Sequence, residues 1–198
     1  MEIIKLSHKK DEIEKLKIIA KRIKKGDVLI FPTDTVYGII ADATNKKAVE
    51  KIFKIKKRDH NKPLSLFVKN IKTAKKIADI ENCLISFLDI MWPGKVTAIF
   101  KRKKTNFKIY GTKKDTIGIR IPKYKPLNLL LEILDFPIVQ TSVNISGSPT
   151  IKNPKKIINE FNILKNQPNL MVDAGIIKNT KPSIILDLRF KLPKVLRI

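Results

Sequence analysis

The sequence predicts an α/β fold: a mixed parallel and antiparallel sheet with flanking helices. Three observations carry this. Segments with apolar residues at helical spacing alternate with short apolar runs of strand length. Hydrophobic residues make up 43% of the chain, enough to build a core. The helices fall unevenly between the strands, so the pattern is less regular than a doubly wound nucleotide fold.

The elements follow in order. Asp11 to Lys25 places Ile13, Leu16, Ile19, Ala20 and Ile23 at helical spacing, and Gly26 follows as a stop. Val28 to Phe31 is an apolar run between Gly26 and Pro32, read as a buried strand. Asn45 is placed to cap a helix carrying Ala48, Val49, Ile52, Phe53 and Ile55. Leu64 to Val68 reads as a strand, Ile71 to Ala78 as a helix, and Leu84 to Met91 as a helix ended before Pro93-Gly94. Val96 to Phe100 and Ile117 to Ile121 are strands. Pro126 near its start marks a helix to Leu134. Ile138 to Thr141, Leu170 to Val172 and Ser183 to Leu188 are strands, with a helix from Pro154 to Phe161 and a last strand from Leu192 to Ile198.

At 198 residues the chain suits one domain. No repeat, linker or boundary interrupts it. No apolar stretch approaches the ~20 residues that span a bilayer, and Met1 to Lys10 lacks the apolar region of a signal peptide. A cytoplasmic location without a membrane partner is expected. Cys83 stands alone, and the histidines are His8 and His60, so a disulfide framework and a Cys- or His-rich metal site are not expected.

The formal net charge is +24. One reading is a polyanionic partner. The other is a compositional lysine bias, because Lys, Ile and Asn share A/T-rich codons. Arginine is not favoured by such a bias, and its rigid fork suits phosphate and carboxylate. Arg22, Arg58, Arg102, Arg120, Arg189 and Arg197 are therefore the informative cations.

Six segments carry polar groups in arrangements that suit a ligand. In Phe31-Pro32-Thr33-Asp34-Thr35-Val36-Tyr37-Gly38 a strand presents three oxygen-bearing side chains before a Gly turn; the alternative is a self-capped loop. Lys54 to Leu64 concentrates Lys56, Lys57, Arg58 and Lys62 at a helix end. This is either an anion clamp or a plain complement to the helix dipole, with His60 a solvated loop residue. Trp92-Pro93-Gly94 reads as a structural corner. In Asp115 to Pro122 the alternation puts Gly118 and Arg120 on the face opposite Ile117, Ile119 and Ile121, either for a ligand on the sheet or as surface. Thr141 to Thr150 is dense in hydroxyl and amide groups, but neither a Walker loop nor a Gly-x-Gly-x-x-Gly occurs. The sixth pairs Pro182-Ser183-Ile184-Ile185-Leu186-Asp187 with Val195-Leu196-Arg197.

Taken together and in this order, Phe-Pro-Thr-Asp-Thr-Val-Tyr-Gly, Lys-x-Arg-x-x-x-Lys-Pro-Leu, Trp-Pro-Gly-x-Val-Thr, Gly-x-Arg-Ile-Pro, Thr-Ser-x-Asn-x-Ser-Gly, Pro-Ser-x-Ile-x-Asp and Val-Leu-Arg resemble the YrdC/Sua5 family from about Asp11 to Ile198. The resemblance implies a twisted mixed sheet with a basic concave cavity, and one YrdC-like domain over 1–198 without the C-terminal Sua5 domain. It implies a nucleotidyltransferase, threonylcarbamoyl-AMP synthase. Its substrates are ATP carrying Mg²⁺, L-threonine and bicarbonate (or CO₂). Its expected partner is a threonylcarbamoyl transferase complex acting at adenosine 37 of tRNAs reading ANN codons, with tRNA itself an indirect partner.

By the same resemblance Thr35, Arg120 and Ser183 hold threonine. Lys56, Arg58, Lys62 and Arg197 hold the phosphates, with Lys56 and Arg58 acting electrostatically. Thr116, Ser142, Asn144, Ser146 and Thr150 hold the nucleotide. No acid/base residue is expected. Phe67 stands where many relatives carry a threonine-binding His, and Val143 where Ala is usual. The rival readings are an RNA-binding module, against which the sparse and scattered aromatics Tyr37, Tyr110, Tyr124 and Trp92 argue, and a paralogue of the same fold that is not a synthase.

Overall fold

A computed structural model describes residues 1–6, 11–178, 180–190 and 192–198. His8 and the Lys9-Lys10 pair lie outside the described residues. In chain order the elements are β1 (Glu2–Lys5), α1 (Glu12–Lys24), β2 (Leu29–Phe31), β3 (Gly38–Asp42), α2 (Lys46–Lys56), β4 (Ser65–Phe67), α3 (Ile71–Ile77), β5 (Ala78–Asp79), α4 (Ile85–Met91), β6 (Val96–Arg102), β7 (Thr116–Arg120), α5 (Lys125–Leu134), β8 (Ile138–Ser142), α6 (Pro154–Phe161), β9 (Leu170–Asp173), β10 (Ile184–Asp187) and β11 (Lys194–Arg197). A short 3₁₀ turn, Asn82–Leu84, leads into α4.

The expected helices and strands are present. Three strands are additional: the two-residue β5, which begins at Ala78 where the helix was expected to end, and β1 and β3. β1 is short and charged at both ends, and it is held by parallel pairing with β9, its Ile3 opposite Met171. β3 begins at Gly38, where a turn was expected; Gly38 instead pairs with Phe31 on one side and Ser142 on the other. The reversal after Pro32 is made by Asp34, Thr35 and Val36.

The strands run β1-β9-β2-β3-β8-β4-β7-β6-β10-β11, with β5 against β6. Pairing is mixed: β4 is parallel to β7 and antiparallel to β8. Each helix is amphipathic because its apolar residues recur at 3 or 4 positions. α5 buries Leu127, Leu130, Leu131 and Leu134, and with Leu16, Ile19 and Ile23 of α1 it covers one sheet face. Ile13, on the same predicted stripe, is 55% exposed, because α1 turns that residue away from the sheet. The other face is packed by α2, α3, α4 and α6 through Val49, Ile52, Phe53, Ile77, Leu88, Ile157 and Phe161. Asn45 caps α2 as expected, its Oδ1 accepting from Ala48 N at 3.1 Å.

Helices α1 and α5 cover only part of their face, and side-chain alternation marks where the cover stops. Ile40, Phe67 and Ile138 lie in the core beneath α1 and α5. Two residues along the same strands, Gly38, Ser65 and Gln140 line an open cavity.

Candidate functional site

The cavity is about 240 Å³. Its floor is the uncovered stretch of β3, β4, β7 and β8. Strands β3, β4 and β7 contribute Gly38, Ser65 and Gly118, whose small side chains leave depth above the sheet. Gly118 has room for little more: a Cβ there would stand 3.4 Å from Ser65 Cβ. Gln140 Nε2 donates to Ser65 Oγ at 2.5 Å across the floor. The walls carry Thr35, Arg58, Thr116, Arg120, Ser142, Ser183 and Arg197. These come from six separate parts of the chain and from both the expected threonine set and the expected nucleotide set.

Arg120, at the end of β7, is 2% exposed. Its Nε donates to Gly94 O at 2.9 Å, Nη1 to Thr35 Oγ1 at 3.0 Å, and Nη2 to Asp34 Oδ1 at 2.5 Å. Three of the five guanidinium N–H groups are thus held by protein, and two remain. Burial pulls the Arg120 pKa below its ordinary value, opposed by Asp34. Asp34 is itself fixed by Lys123 N, which donates to Oδ2 at 3.0 Å. The ring of Phe67 lies beneath the guanidinium, 5.7 Å from centroid to Cζ. Phe67 is fully buried among the α1/α5 core residues and supports Arg120 from below.

The Pro32–Gly38 segment is both a self-capped loop and part of the site. Thr33 Oγ1 donates to Val36 O at 2.7 Å and accepts from Thr35 N at 3.0 Å. With that proton committed, the 2.9 Å contact between the two hydroxyls has Thr35 as donor. Thr35 Oγ1 also accepts from Arg120, which leaves it one lone pair toward the cavity. Tyr37 ties this segment to the Ala174–Gly175 turn: its OH donates to Gly175 O at 2.7 Å and accepts from Ala174 N at 3.0 Å.

The Trp92–Gly94 corner is structural, with one link to the site. Trp92 Nε1 donates to Val96 O at 2.8 Å. Gly94 approaches Met91 so closely that a Cβ would meet Met91 O at 2.2 Å. That approach places Gly94 O where Arg120 uses it.

The remaining wall is cationic. Arg58 Nε donates to Lys62 O at 2.8 Å and Nη2 to Pro63 O at 3.0 Å. Arg197, on edge strand β11, donates to Ser183 O at 2.7 Å and to Ser183 Oγ at 3.2 Å. Burial lowers the pKa of both. Neither donates to a carboxylate among the described residues, in contrast to Arg22 with Glu2 and Asp27 and Arg189 with Asp187. Arg102 donates to Thr112, Lys113 and Ile109 and is structural. Of the six arginines, the three in the recognised motifs are the three that reach the cavity.

Lys56 departs from its expected place. It is 1% exposed and turned away from the cavity, its ammonium bonded to Ser142 O, Asn144 O and Asn144 Oδ1. The sequence expects a charged end of helix, but the turn of α2 at that residue faces the Ser142–Ser148 loop. Asn144 is correspondingly buried, its Nδ2 donating to Ser148 O at 2.6 Å. Ser146 and Thr150 continue this loop outside the cavity lining, and Ser146 Oγ is buried without a hydrogen-bond partner. Lys62 is exposed, and its backbone carbonyl accepts from Arg58. Gln140 and Ser65 belong to the site without having been singled out, while Asp34 and Thr97, which lie inside the quoted motifs, join it through Arg120 and Ser183. Thr97 Oγ1 lies 2.9 Å from Ser183 Oγ. Ser65 follows Leu64 and Gln140 precedes Thr141 in the chain, but only the strand register that pairs the two shows that they share the floor.

Among the described residues no group of three or more His, Cys, Asp or Glu is placed to hold a metal. No helix among them is long and apolar enough to cross a membrane.

The chain's similarities are consistent across its length. A family model covering Sua5, YciO and YrdC, described as telomere recombination, matches residues 21–198. A putative threonylcarbamoyl-AMP synthase of Methanocaldococcus jannaschii is 38% identical over 186 residues, 93% of this chain and 86% of that protein. The structure of P. abyssi Sua5 complexed with L-threonine matches with a TM-score of 0.89 at 28% identity, over 100% of this chain and 57% of that one. The structure of E. coli YciO matches with a TM-score of 0.85 at 25% identity, over 99% of this chain and 93% of that one.

Proposed function

The chain belongs to the Sua5/YciO/YrdC family, and from that premise we propose that it is an L-threonylcarbamoyladenylate synthase, a nucleotidyltransferase supplying the activated group for threonylcarbamoyladenosine at position 37 of tRNAs reading ANN codons. The observation that carries this is one cavity joining two kinds of group. Arg120 and Thr35 offer two N–H groups and a lone pair. Arg58 and Arg197 offer cationic charge that no carboxylate among the described residues takes up by a hydrogen bond.

The reaction joins two anions. A carbamate oxygen of N-carboxy-threonine attacks the α-phosphorus of ATP, the new P–O bond forms, the α–β anhydride breaks, and pyrophosphate leaves with the electron pair. Catalysis of this kind is positioning and charge compensation, with no acid/base residue needed. In our reading the free N–H groups of Arg120 take the threonine carboxylate in a bidentate pair. Thr35 Oγ1 accepts from the carbamate N–H. Ser183, tied to Thr97, closes the threonine side. Arg58 and Arg197, with Lys62 at the rim, compensate the triphosphate as charge builds on the leaving pyrophosphate. Thr116 and Ser142 hold the nucleotide, and Asn144, Ser146 and Thr150 act through the loop to which they belong. Mg²⁺ enters with ATP as part of the substrate. The sheltered floor limits hydrolysis of the carbamate and the mixed anhydride. A threonylcarbamoyl transferase complex takes the product.

The test is synthesis of threonylcarbamoyl-AMP from ATP, Mg²⁺, threonine and bicarbonate, with each omitted in turn. Product that requires all four is the expected result. Salt-dependent tRNA binding with no product and no ATP binding would overturn the proposal in favour of an RNA-binding role.

A further inference from the structure

Lys56 joins two motifs that the sequence keeps 86 residues apart. Its ammonium donates to Ser142 O at 2.6 Å, Asn144 O at 2.7 Å and Asn144 Oδ1 at 2.7 Å. Those bonds use all three of its protons. Its backbone carbonyl accepts from Ser146 N at 3.0 Å. Asn144 Oδ1 also accepts from Ser142 Oγ at 2.8 Å. One buried lysine therefore organises the segment from which Ser142 enters the cavity.

Among the described residues no carboxylate is bonded to this charge. From β8 to Thr150 the packed segment carries no ionisable side chain. On α2, Glu50 faces His60 at 3.7 Å. The Tyr37 hydroxyl is occupied at Ala174 and Gly175, and Lys152 donates to Thr180 O. The charge that acts on Lys56 is Arg58, another cation. Burial, and then Arg58, push the Lys56 ammonium down to about 7.

We propose that Lys56 is a positioning residue for the nucleotide loop, and that a polyphosphate and the Lys56 proton bind together. Only the ammonium can gather two carbonyls and the Asn144 oxygen onto one point; the neutral amine has two N–H groups and no charge. An anion in the cavity stabilises the charged form, so the proton is held more tightly when the anion is bound. Binding then takes up protons near neutral pH, and affinity falls as pH rises through the range in which free Lys56 loses its proton. This rests on reading the cavity as a polyphosphate site.

The experiment follows the Lys56 side chain by NMR in protein with labelled lysine, its signal assigned by Lys56→Arg, with inorganic triphosphate as probe. The expected midpoint is near neutral in the free protein and rises by about one pH unit with triphosphate. Between pH 6.5 and 8.5 wild-type affinity should fall about 5- to 10-fold more than that of Lys56→Arg, which shares the ligand's own titration but keeps its charge. A free midpoint above 9, a midpoint that triphosphate leaves in place, or equal profiles for the two proteins overturns the proposal. If Lys56→Arg fails to fold, the wild-type midpoints decide. A shifted midpoint with no ATP binding would strike the synthase reading and leave this one standing.

Discussion

Arg120 illustrates how one side chain is both structure and site. Its pair with Asp34 is buried on both sides, 2% and 8% exposed. Removing one member of such a pair leaves the other charge unpaired, which costs about 3–5 kcal/mol. Arg120→Ala should therefore lose stability on this scale as well as use of threonine. Adding Asp34→Asn should restore part of the stability and none of the threonine use. Denaturant melts and the threonine KM of both variants separate the two effects. Full threonine use by Arg120→Ala would show that this side chain does not hold the substrate. The alternation of Asp115 to Pro122 already puts Arg120 opposite the isoleucines. What it leaves open is the counterion, because Asp34 lies 86 residues away. Lys56 was legible as a motif residue but not as a buried one: in a chain this rich in lysine, only packing shows which ammonium leaves solvent.

At the scale of the element, the Trp92–Gly94 corner couples two parts of the site. The corner delivers Gly94 O to Arg120 Nε at 2.9 Å. Gly94→Ala would place a Cβ against the Met91 carbonyl and force the corner to move. The expected result is a threonine KM raised roughly 10-fold, the effect of losing about one hydrogen bond of ~1.4 kcal/mol, with ATP binding little changed. An ATP effect as large as the threonine effect would mean that the corner supports the whole cavity. Helix positions were readable because period 3.6 and a capping Asn are local signals. Strand β3 was not, since its Gly38 carries a turn signal. Only its two antiparallel neighbours, Phe31 and Ser142, hold it extended.

At the scale of the molecule, +24 over 198 residues is strong self-repulsion. Among the described residues the basic groups far outnumber their carboxylate pairs, which on the surface include Lys15–Asp11, Lys17–Glu14 and Lys69–Asp135. Salt shortens the reach of the repulsion to about 3 Å at 1 M. The melting temperature should therefore rise between 0.05 and 0.5 M NaCl while nucleotide affinity falls. A melting temperature that falls instead would mean that attractive pairs outweigh the repulsion.

The net charge was a poor guide to the cavity, and the arginines were a better one. Arg58, Arg120 and Arg197 face one cavity, while most lysines have no place in it. The sequence alone determined the fold class, the helices and most of the strands, and the family, because periodicity, caps and ordered motifs are properties of neighbours along the chain. The tertiary structure decided that β1 lies beside β9, that Gly38, Ser65 and Gly118 form one floor, and that Lys56 faces inward. Those outcomes depend on strand register and on which face the helices leave uncovered, and both are set by contacts between residues far apart in the chain.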